Sequence, residues 1–178
     1  MLFDFFLFQC HIRSYFRDLS IEMSRKRLEE FLKIHHQDAF LWARQCAHYN
    51  EEYAKDILQV AYIKVLEGKA VFKNKSTFKT WLFSVIRFTA IDYLKGQKTF
   101  ENIDGIHLVE EEREENMPAA HLRNVLNGIA PRQQQVLLLS FYHGMTLQEI
   151  AETLALHIGT VRTHYERGKT SLRQRLSE

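Results

Sequence analysis

One stretch constrains this chain more than any other: PRQQQVLLLSFYHGMTLQEIAETLALHIGTVRTHYERGKTSLRQRL, residues 131–176. Thr146 stands three residues ahead of Glu149, just before an apolar-periodic run, which is the pattern of a capping box at a helix start. Leu147, Ile150, Ala151 and Leu154 then share one helical face. Ala155, Leu156 and His157 form a break of helix-turn-helix length. Beyond it Val161, Tyr165, Gly168, Leu172 and Leu176 recur at the helical period. Their opposite face carries Thr163, Arg167, Thr170 and Gln174, flanked by Arg162, Lys169 and Arg173. A helix with an apolar side to dock and a cationic, hydroxyl-bearing side to present can read a DNA groove. An amphipathic helix with a solvated charged face fits the same residues.

Upstream of this motif the chain contains only helical signals. Two Pro and seven Gly in 178 residues, without alternating β-branched runs between turn signals, point to an all-α fold. Residues 25–49 read as one helix with Leu28, Phe31, Leu32, Phe40, Leu41 and Ala47 as core positions, and residues 52–66 as a second. Gly68 ends the second, a basic loop follows over residues 69–75, and Ser76 or Thr77 caps a third helix running to Lys95. On that third helix Phe78, Leu82, Val85, Thr89 and Tyr93 form the inward stripe, with Thr80, Ser84, Arg87 and Ile91 opposite. Phe83 and Phe88 stand on its flanks, so it is apolar over more of its circumference than one-sided burial requires. It is either a central core helix or one whose aromatics and cations meet unstacked bases and phosphates. Trp81 reads as core.

The net charge of +2 conceals a sharp division along the chain. Residues 24–98 hold 14 Lys and Arg against 8 Asp and Glu, residues 99–118 hold 1 against 7, and residues 119–178 hold 7 against 4. Two basic blocks are thus separated by an acidic joint, each a candidate surface for a polyanion. The run Glu110-Glu111-Glu112-Arg113-Glu114-Glu115 favours an extended, solvated linker. The expected organisation is therefore all-α: a first helical domain over 24–98, a flexible acidic linker over 99–120, and a small helix-turn-helix domain over 121–178. In the last, Leu122, Val125, Leu126 and Ile129 open the domain, Pro131 starts a helix with Val136, Leu137 and Phe141 as core, and Gly144 ends it.

Residues 1–23, with Leu2-Phe3-Asp4-Phe5-Phe6-Leu7-Phe8 at their start, are too short and too interrupted for a membrane span and lack the basic flank of a signal peptide. They are expected to be an upstream or disordered extension. Cys10 and Cys46 cannot form a disulfide framework, which suits a reduced cytoplasmic protein. Enzyme chemistry has little to stand on. There is no phosphate-cradling glycine loop, no GxSxG and no His/Glu metal motif, and adjacent His35 and His36 cannot share a helix face. No cofactor, no metal and no small-molecule substrate is expected.

Taken together, the two halves resemble the extracytoplasmic-function sigma factors, the compact class of bacterial RNA polymerase sigma subunits. The resemblance spans residues 31–176 and rests on DILQVAYIKVL at 56–66, STFKTWLFSVIRFTAIDYLK at 76–95, and APRQQQVLLL followed by the helix-turn-helix. It implies a protein that binds core RNA polymerase and directs promoter recognition, DNA melting and transcription initiation, with an anti-sigma factor as a further partner. Asp56 and Gln59 match the face that grips the polymerase's largest subunit. The loop with Lys69, Phe72, Asn74 and Lys75 matches the one that captures a flipped base of the minus-ten element, and Lys79, Arg87 and Lys95 match the region beside the melting duplex. Thr160, Arg162, Thr163, Glu166, Arg167 and Lys169 match the recognition helix at the minus-thirty-five element. Two positions depart from the family pattern. Ala155 replaces the usual turn glycine, where a left-handed conformation costs a residue with a Cβ about 1 kcal/mol, and His157 stands where the second helix usually opens with Ser or Pro. The competing reading is a helix-turn-helix regulator that binds an operator as a dimer. It accounts for residues 131–176 but gives the basic first domain and acidic joint no task.

Overall fold

The computed structural model describes residues 24–104 and 128–177, with side chains described outside 98–104. Among the described residues the fold is entirely helical. Ser24 opens α1 (Arg25–Ile34) by accepting the Arg27 N–H. The single helix expected over 25–49 is instead two, because His35 (φ −96, ψ 6) interrupts it before α2 (His36–Cys46). The His35 ring stacks on Phe78 at 5.8 Å, so the interruption falls where the chain packs on another helix. His48 and Tyr49 at positive φ (53 and 67) turn the chain, and Asn50 caps α3 (Glu51–Leu66) by accepting the Tyr53 N–H at 2.9 Å.

Gly68, at φ +70, follows α3 and introduces the basic loop. Thr77 then starts α4 (Phe78–Asp104), its Oγ1 accepting the Thr80 N–H at 3.1 Å. This helix runs on through Gly96 instead of ending at Lys95, and it takes in residues 99–104 of the expected linker. A single interior glycine costs a helix about 1 kcal/mol, too little to stop one without a proline or a competing cap. The rest of the linker, and Leu122, Val125 and Leu126, lie outside the described residues.

The second unit begins with Ile129, buried, and α5 (Pro131–Leu137), where proline takes the first helical position. A π-helical turn, Leu138–Tyr142, follows directly. The wider turn rotates the register, so Leu139 is buried while Phe141, expected in the core, is 62% exposed. Gly144 at φ +65 closes this segment. Next come α6 (Leu147–Leu154) and α7 (Ile158–Leu176), the two arms of the helix-turn-helix. At Gly168 an added Cβ would lie 3.1 Å from the Leu137 side chain, a close approach that allows α7 to pack tightly on α5.

The two units share one core. Trp42, Ile57, Leu82, Phe83 and Ile86 from the first join Val136, Leu139, Met145, Ile150 and Leu154 from the second in a continuous buried cluster. Helix α4 lies at its centre, packed on α2, α3 and α6. This explains its unusual apolar breadth. Phe78, Leu82 and Thr89 are buried as the inward stripe requires, with Val85 and Tyr93 half-buried, but Thr80 and Arg87, expected on the open side, are buried as well. The second unit covers the Thr80 side. Trp42, the largest fully buried side chain, also belongs to the core, along with Ala39 and Ala43. Leu32 and Ala47 are buried as expected, whereas Leu28, Phe31, Phe40 and Leu41 are only half-buried.

Candidate polymerase and promoter interface

The helix-turn-helix is built by three local devices. Thr146 Oγ1 accepts the Glu149 N–H at 3.3 Å and Glu149 Oε2 accepts the Thr146 N–H at 2.9 Å, so the expected capping box is present. Ala155 does adopt the left-handed conformation (φ 51, ψ 49), closing α6. His157 caps α7 after all, its Nδ1 accepting the Gly159 N–H at 3.1 Å. An acceptor Nδ1 requires the neutral imidazole with its proton on Nε2.

Helix α7 docks on its Val161 and Gly168 side, with Ile158 and Tyr165 half-buried beside them. Thr160, Arg162, Thr163, Glu166 and Arg167 are all exposed. Lys169 is drawn inward: its Nζ lies 4.9 Å from the centroid of the Tyr165 ring and 3.4 Å from Glu166. Thr163 donates its hydroxyl to Gly159 O at 3.0 Å, so it already has an intrahelical acceptor. The face with two guanidinium groups, two hydroxyls and a carboxylate is the one turned to solvent. Such a set can donate to guanine and phosphate and accept from cytosine.

On the first unit Asp56 and Gln59 are exposed one turn apart on α3, with Val60 and Ile63 exposed alongside. Asp56 Oδ2 accepts the Tyr93 hydroxyl at 2.6 Å, tying this face to α4. Burial and this bond raise the Tyr93 phenol above its ordinary range. In the basic loop, Lys69 pairs with Glu67 at 2.7 Å, and Lys75 and Asn74 are exposed, Asn74 at φ 54. Phe72 is committed elsewhere. It is half-buried, 5.4 Å from Phe78 and 5.2 Å from Trp81, so its ring is engaged by its own aromatic cluster.

Two residues expected beside the melting duplex are covered in this arrangement. Arg87 is 8% exposed and lies 5.5 Å from the centroid of the exposed Phe88 ring. Burial, and then Arg132, lower its pKa. Lys79 is half-buried and donates to Asp38 Oδ2 at 2.7 Å and to the backbone oxygen of His143 at 3.0 Å. The Lys79 bond holds the Asp38 carboxyl below its usual range.

His143 was not singled out by its position in the sequence, because it follows a helix end with no motif around it. The residue is 6% exposed, and its ring is edge-on to Phe83 at 4.9 Å and to Trp42 at 6.0 Å. Neither ring nitrogen has a hydrogen-bond partner among the described residues, and burial, then Lys79, bring its pKa down to about 4. Glu149 does more than cap. Its Oε1 accepts the hydroxyls of Thr80 at 3.2 Å and Thr77 at 3.4 Å across the two units.

Among the described residues there is no group of three His, Cys, Asp or Glu side chains placed to hold a metal, and no helix is long and apolar enough to cross a membrane. Cys46 is buried and its thiol is pushed up to about 12, mainly by burial, so it is a poor nucleophile.

Comparisons with known proteins identify the family. The family described as Sigma-70 region 2 matches residues 31–100, and the one described as Sigma-70, region 4 matches residues 120–172. The chain is 28% identical over 131 residues to the RNA polymerase sigma factor SigV of Bacillus subtilis, covering 72% of this chain and 79% of that protein. It is 27% identical over 157 residues to the ECF RNA polymerase sigma factor SigX of the same organism, covering 80% and 79%. Among solved structures, the fold is similar to that of the sigma factor RpoE in complex with the anti-sigma factor NepR from Bartonella quintana. That likeness has a TM-score of 0.69 at 18% identity and covers 85% of this chain and 98% of the other. A similar fold is found in CnrH in complex with the cytosolic domain of CnrY, with a TM-score of 0.65 at 17% identity over 90% and 94% of the two chains. With both sigma regions present in order on one chain, the protein belongs to the sigma-70 family, in the two-region form of the extracytoplasmic-function sigma factors.

Proposed function

We propose that the chain works as a two-handed promoter binder, with the first unit (24–98) on core polymerase and the minus-ten element and the second (121–178) on the minus-thirty-five element. Its class is that of an RNA polymerase sigma factor, which binds core enzyme and directs promoter recognition, melting and initiation. Asp56 and Gln59 bond the polymerase's largest subunit, as an exposed acceptor and amide on one helix face can do with arginines. Lys69, Asn74 and Lys75 receive the minus-ten strand, with Phe72, Lys79 and Arg87 joining once uncovered. Thr160, Arg162, Thr163, Glu166, Arg167 and Lys169 serve the minus-thirty-five duplex. The single observation that carries this division of labour is the exposed face of α7, with Arg162, Thr163 and Arg167 outward while Val161 is fully buried.

Sigma factors are regulatory proteins, and on this reading the chain has no catalytic step of its own and acts in the bacterial cytoplasm. The residues at 99–120 join the two hands. An anti-sigma protein is a further partner, supported by the two similar structures, each of which is a complex of the sigma chain with another protein. An operator-binding dimer explains only the second unit and leaves the region 2 match without a role.

Mobility-shift assays on one promoter fragment test the reading. The isolated chain should bind it weakly and without sequence preference, and the chain with core polymerase should bind it specifically. Tight, specific binding to a two-fold symmetric site by the chain alone would replace this reading with the operator-binding one.

A further inference from the structure

The basic loop between α3 and α4 is held at three points. At its start the Ala70 N–H donates to Lys64 O at 2.9 Å, which ties it to the last turn of α3. At its end Thr77 Oγ1 accepts the Thr80 N–H at 3.1 Å and begins α4. Between these ends Phe72 is half-buried, while Lys73, Asn74 and Lys75 stand exposed at the tip, with Asn74 at φ 54. A residue with a Cβ holds a left-handed backbone at a cost, asparagine more readily than most. Such a tip keeps one shape only while its surroundings fix it.

What fixes Phe72 is a run of aromatic rings that starts on α1. The Phe31 ring stacks on Phe78 at 5.1 Å, tilted by 28°. Phe78, itself buried, meets Phe72 edge-on at 5.4 Å and Trp81 at 5.3 Å, and Trp81 meets Phe72 at 5.2 Å. The Arg27 guanidinium lies 5.7 Å from the centroid of Phe31, at the outer end of the run. Stacked and edge-to-face ring pairs attract beyond the area they bury, and they do so at preferred angles and distances. The Phe31 ring therefore sets the place of Phe78, and Phe78 with Trp81 sets the place of Phe72.

We propose that Phe31 and Phe78 are positioning residues for minus-ten recognition: the ring stack from α1 sets the height at which the loop presents Asn74. This rests on the proposed capture of a minus-ten base by the loop, and it assigns part of that geometry to a helix at the far end of the stack. A loop freed from the stack samples many shapes, and only the fraction in the receiving shape holds the base. Apparent affinity for the correct base falls by that fraction. A wrong base that the loop does not hold loses nothing, so the effect appears as lost discrimination at the minus-ten element. Discrimination at the minus-thirty-five element, read from α7, is untouched.

Three variants of the full chain test this. Phe31→Leu removes the stacking face and keeps apolar bulk, Phe31→Tyr keeps the ring, and Asn74→Gly removes the amide from a backbone that glycine accepts. Circular dichroism shows whether each folds, and Phe31→Met, apolar and adaptable, replaces Phe31→Leu if that variant does not. Trypsin cleavage after Lys73 and Lys75, located by mass spectrometry, reads how firmly the loop is held. It should be about 5-fold or more faster in Phe31→Leu and unchanged in Phe31→Tyr. With core polymerase, binding is then compared across fork promoter fragments that carry each base in turn along the minus-ten element. Discrimination there should fall by about 3-fold or more in Phe31→Leu and Asn74→Gly, and stay at the parent level at the minus-thirty-five bases. Faster cleavage together with this selective loss upholds the proposal. If Asn74→Gly discriminates like the parent, the base-capture reading fails instead, and faster cleavage in Phe31→Leu still upholds the ring stack as the loop's anchor. Cleavage of Phe31→Leu at the parent rate overturns the proposal. So does equal loss of discrimination at both elements, or minus-ten discrimination kept in Phe31→Leu while Asn74→Gly loses it.

Discussion

The indole of Trp42 lies parallel to the Phe83 ring, 5.7 Å away and tilted by 7°, and its Nε1 donates to Phe83 O at 3.0 Å. This pair joins α2 to α4 at the point where the second unit inserts His143. Trp42→Ala should cost about 3–5 kcal/mol, the range for emptying a large aromatic site. Trp42→Phe should cost less but leave the carbonyl of Phe83 without its donor. Urea denaturation of the three proteins checks this order, and a Trp42→Ala chain as stable as the parent would contradict it.

Ala155 holds a left-handed backbone that its Cβ disfavours. Ala155→Gly should stabilise the second unit by up to about 1 kcal/mol, less the small entropic cost of glycine in the unfolded chain. A shift of the thermal midpoint upward by a few degrees would agree. A downward shift would mean that the turn gains more from the methyl group than it loses to strain.

His143 gives the fold a defined acid sensitivity. The unfolded chain binds a proton near pH 6.5, whereas the folded chain holds this ring neutral until about 4. Because the folded pKa is depressed, its contribution to stability is fully present above pH 6.5 and is lost as pH falls from there towards 4. Asp38 and Glu149, whose carboxyls sit below their ordinary 3.8 and 4.5, begin to lose their contributions as pH falls through those values, so Glu149 overlaps the foot of this window. His143→Phe, which keeps a ring and carries no proton, should make the denaturation midpoint fall less steeply between pH 6.5 and 4, the remaining slope coming in part from His35, whose pKa burial and then Lys79 also lower. The same slope in parent and variant would assign the sensitivity to another group.

Much of this was legible in the residues, because the signals were local. The capping box at Thr146 and Glu149, the break over 155–157 and the Gly68 and Gly144 stops each depend on one turn of backbone, and each stands where the chemistry of its side chains puts it. Contacts between distant segments were not legible. Phe141 fits the apolar spacing of an α-helix, but a π-helical turn that no propensity announces moves it outward. Thr80 and Arg87 look like an open face until a second unit lies across one side of their helix. Phe72 was expected to await a base, yet Phe78 and Trp81, its neighbours only in space, already hold it. Lys79 has the charge for a phosphate, but Asp38, 41 positions away, claims it.

The Tyr93–Asp56 bond bears on the polymerase-facing side of α3. Tyr93→Phe removes the donor and leaves Asp56 exposed and mobile, which should weaken the affinity for core polymerase modestly, by about 1 kcal/mol or less for one hydrogen bond at an exposed carboxylate. Asp56→Ala should weaken it more. Titration of labelled chain with core polymerase measures both, and an effect of Tyr93→Phe larger than that of Asp56→Ala would contradict the assignment of Asp56.

Run-off transcription with purified bacterial core polymerase, on a promoter carrying matched and altered minus-thirty-five bases, tests the proposed division of labour most directly. The chain with core enzyme alone should yield a transcript of one defined length. Arg162→Ala or Arg167→Ala should lower its yield and its discrimination between the two promoters by about 1–3 kcal/mol for each lost bidentate base contact. No promoter-directed transcript with core enzyme, together with specific DNA binding by the chain alone, would contradict it.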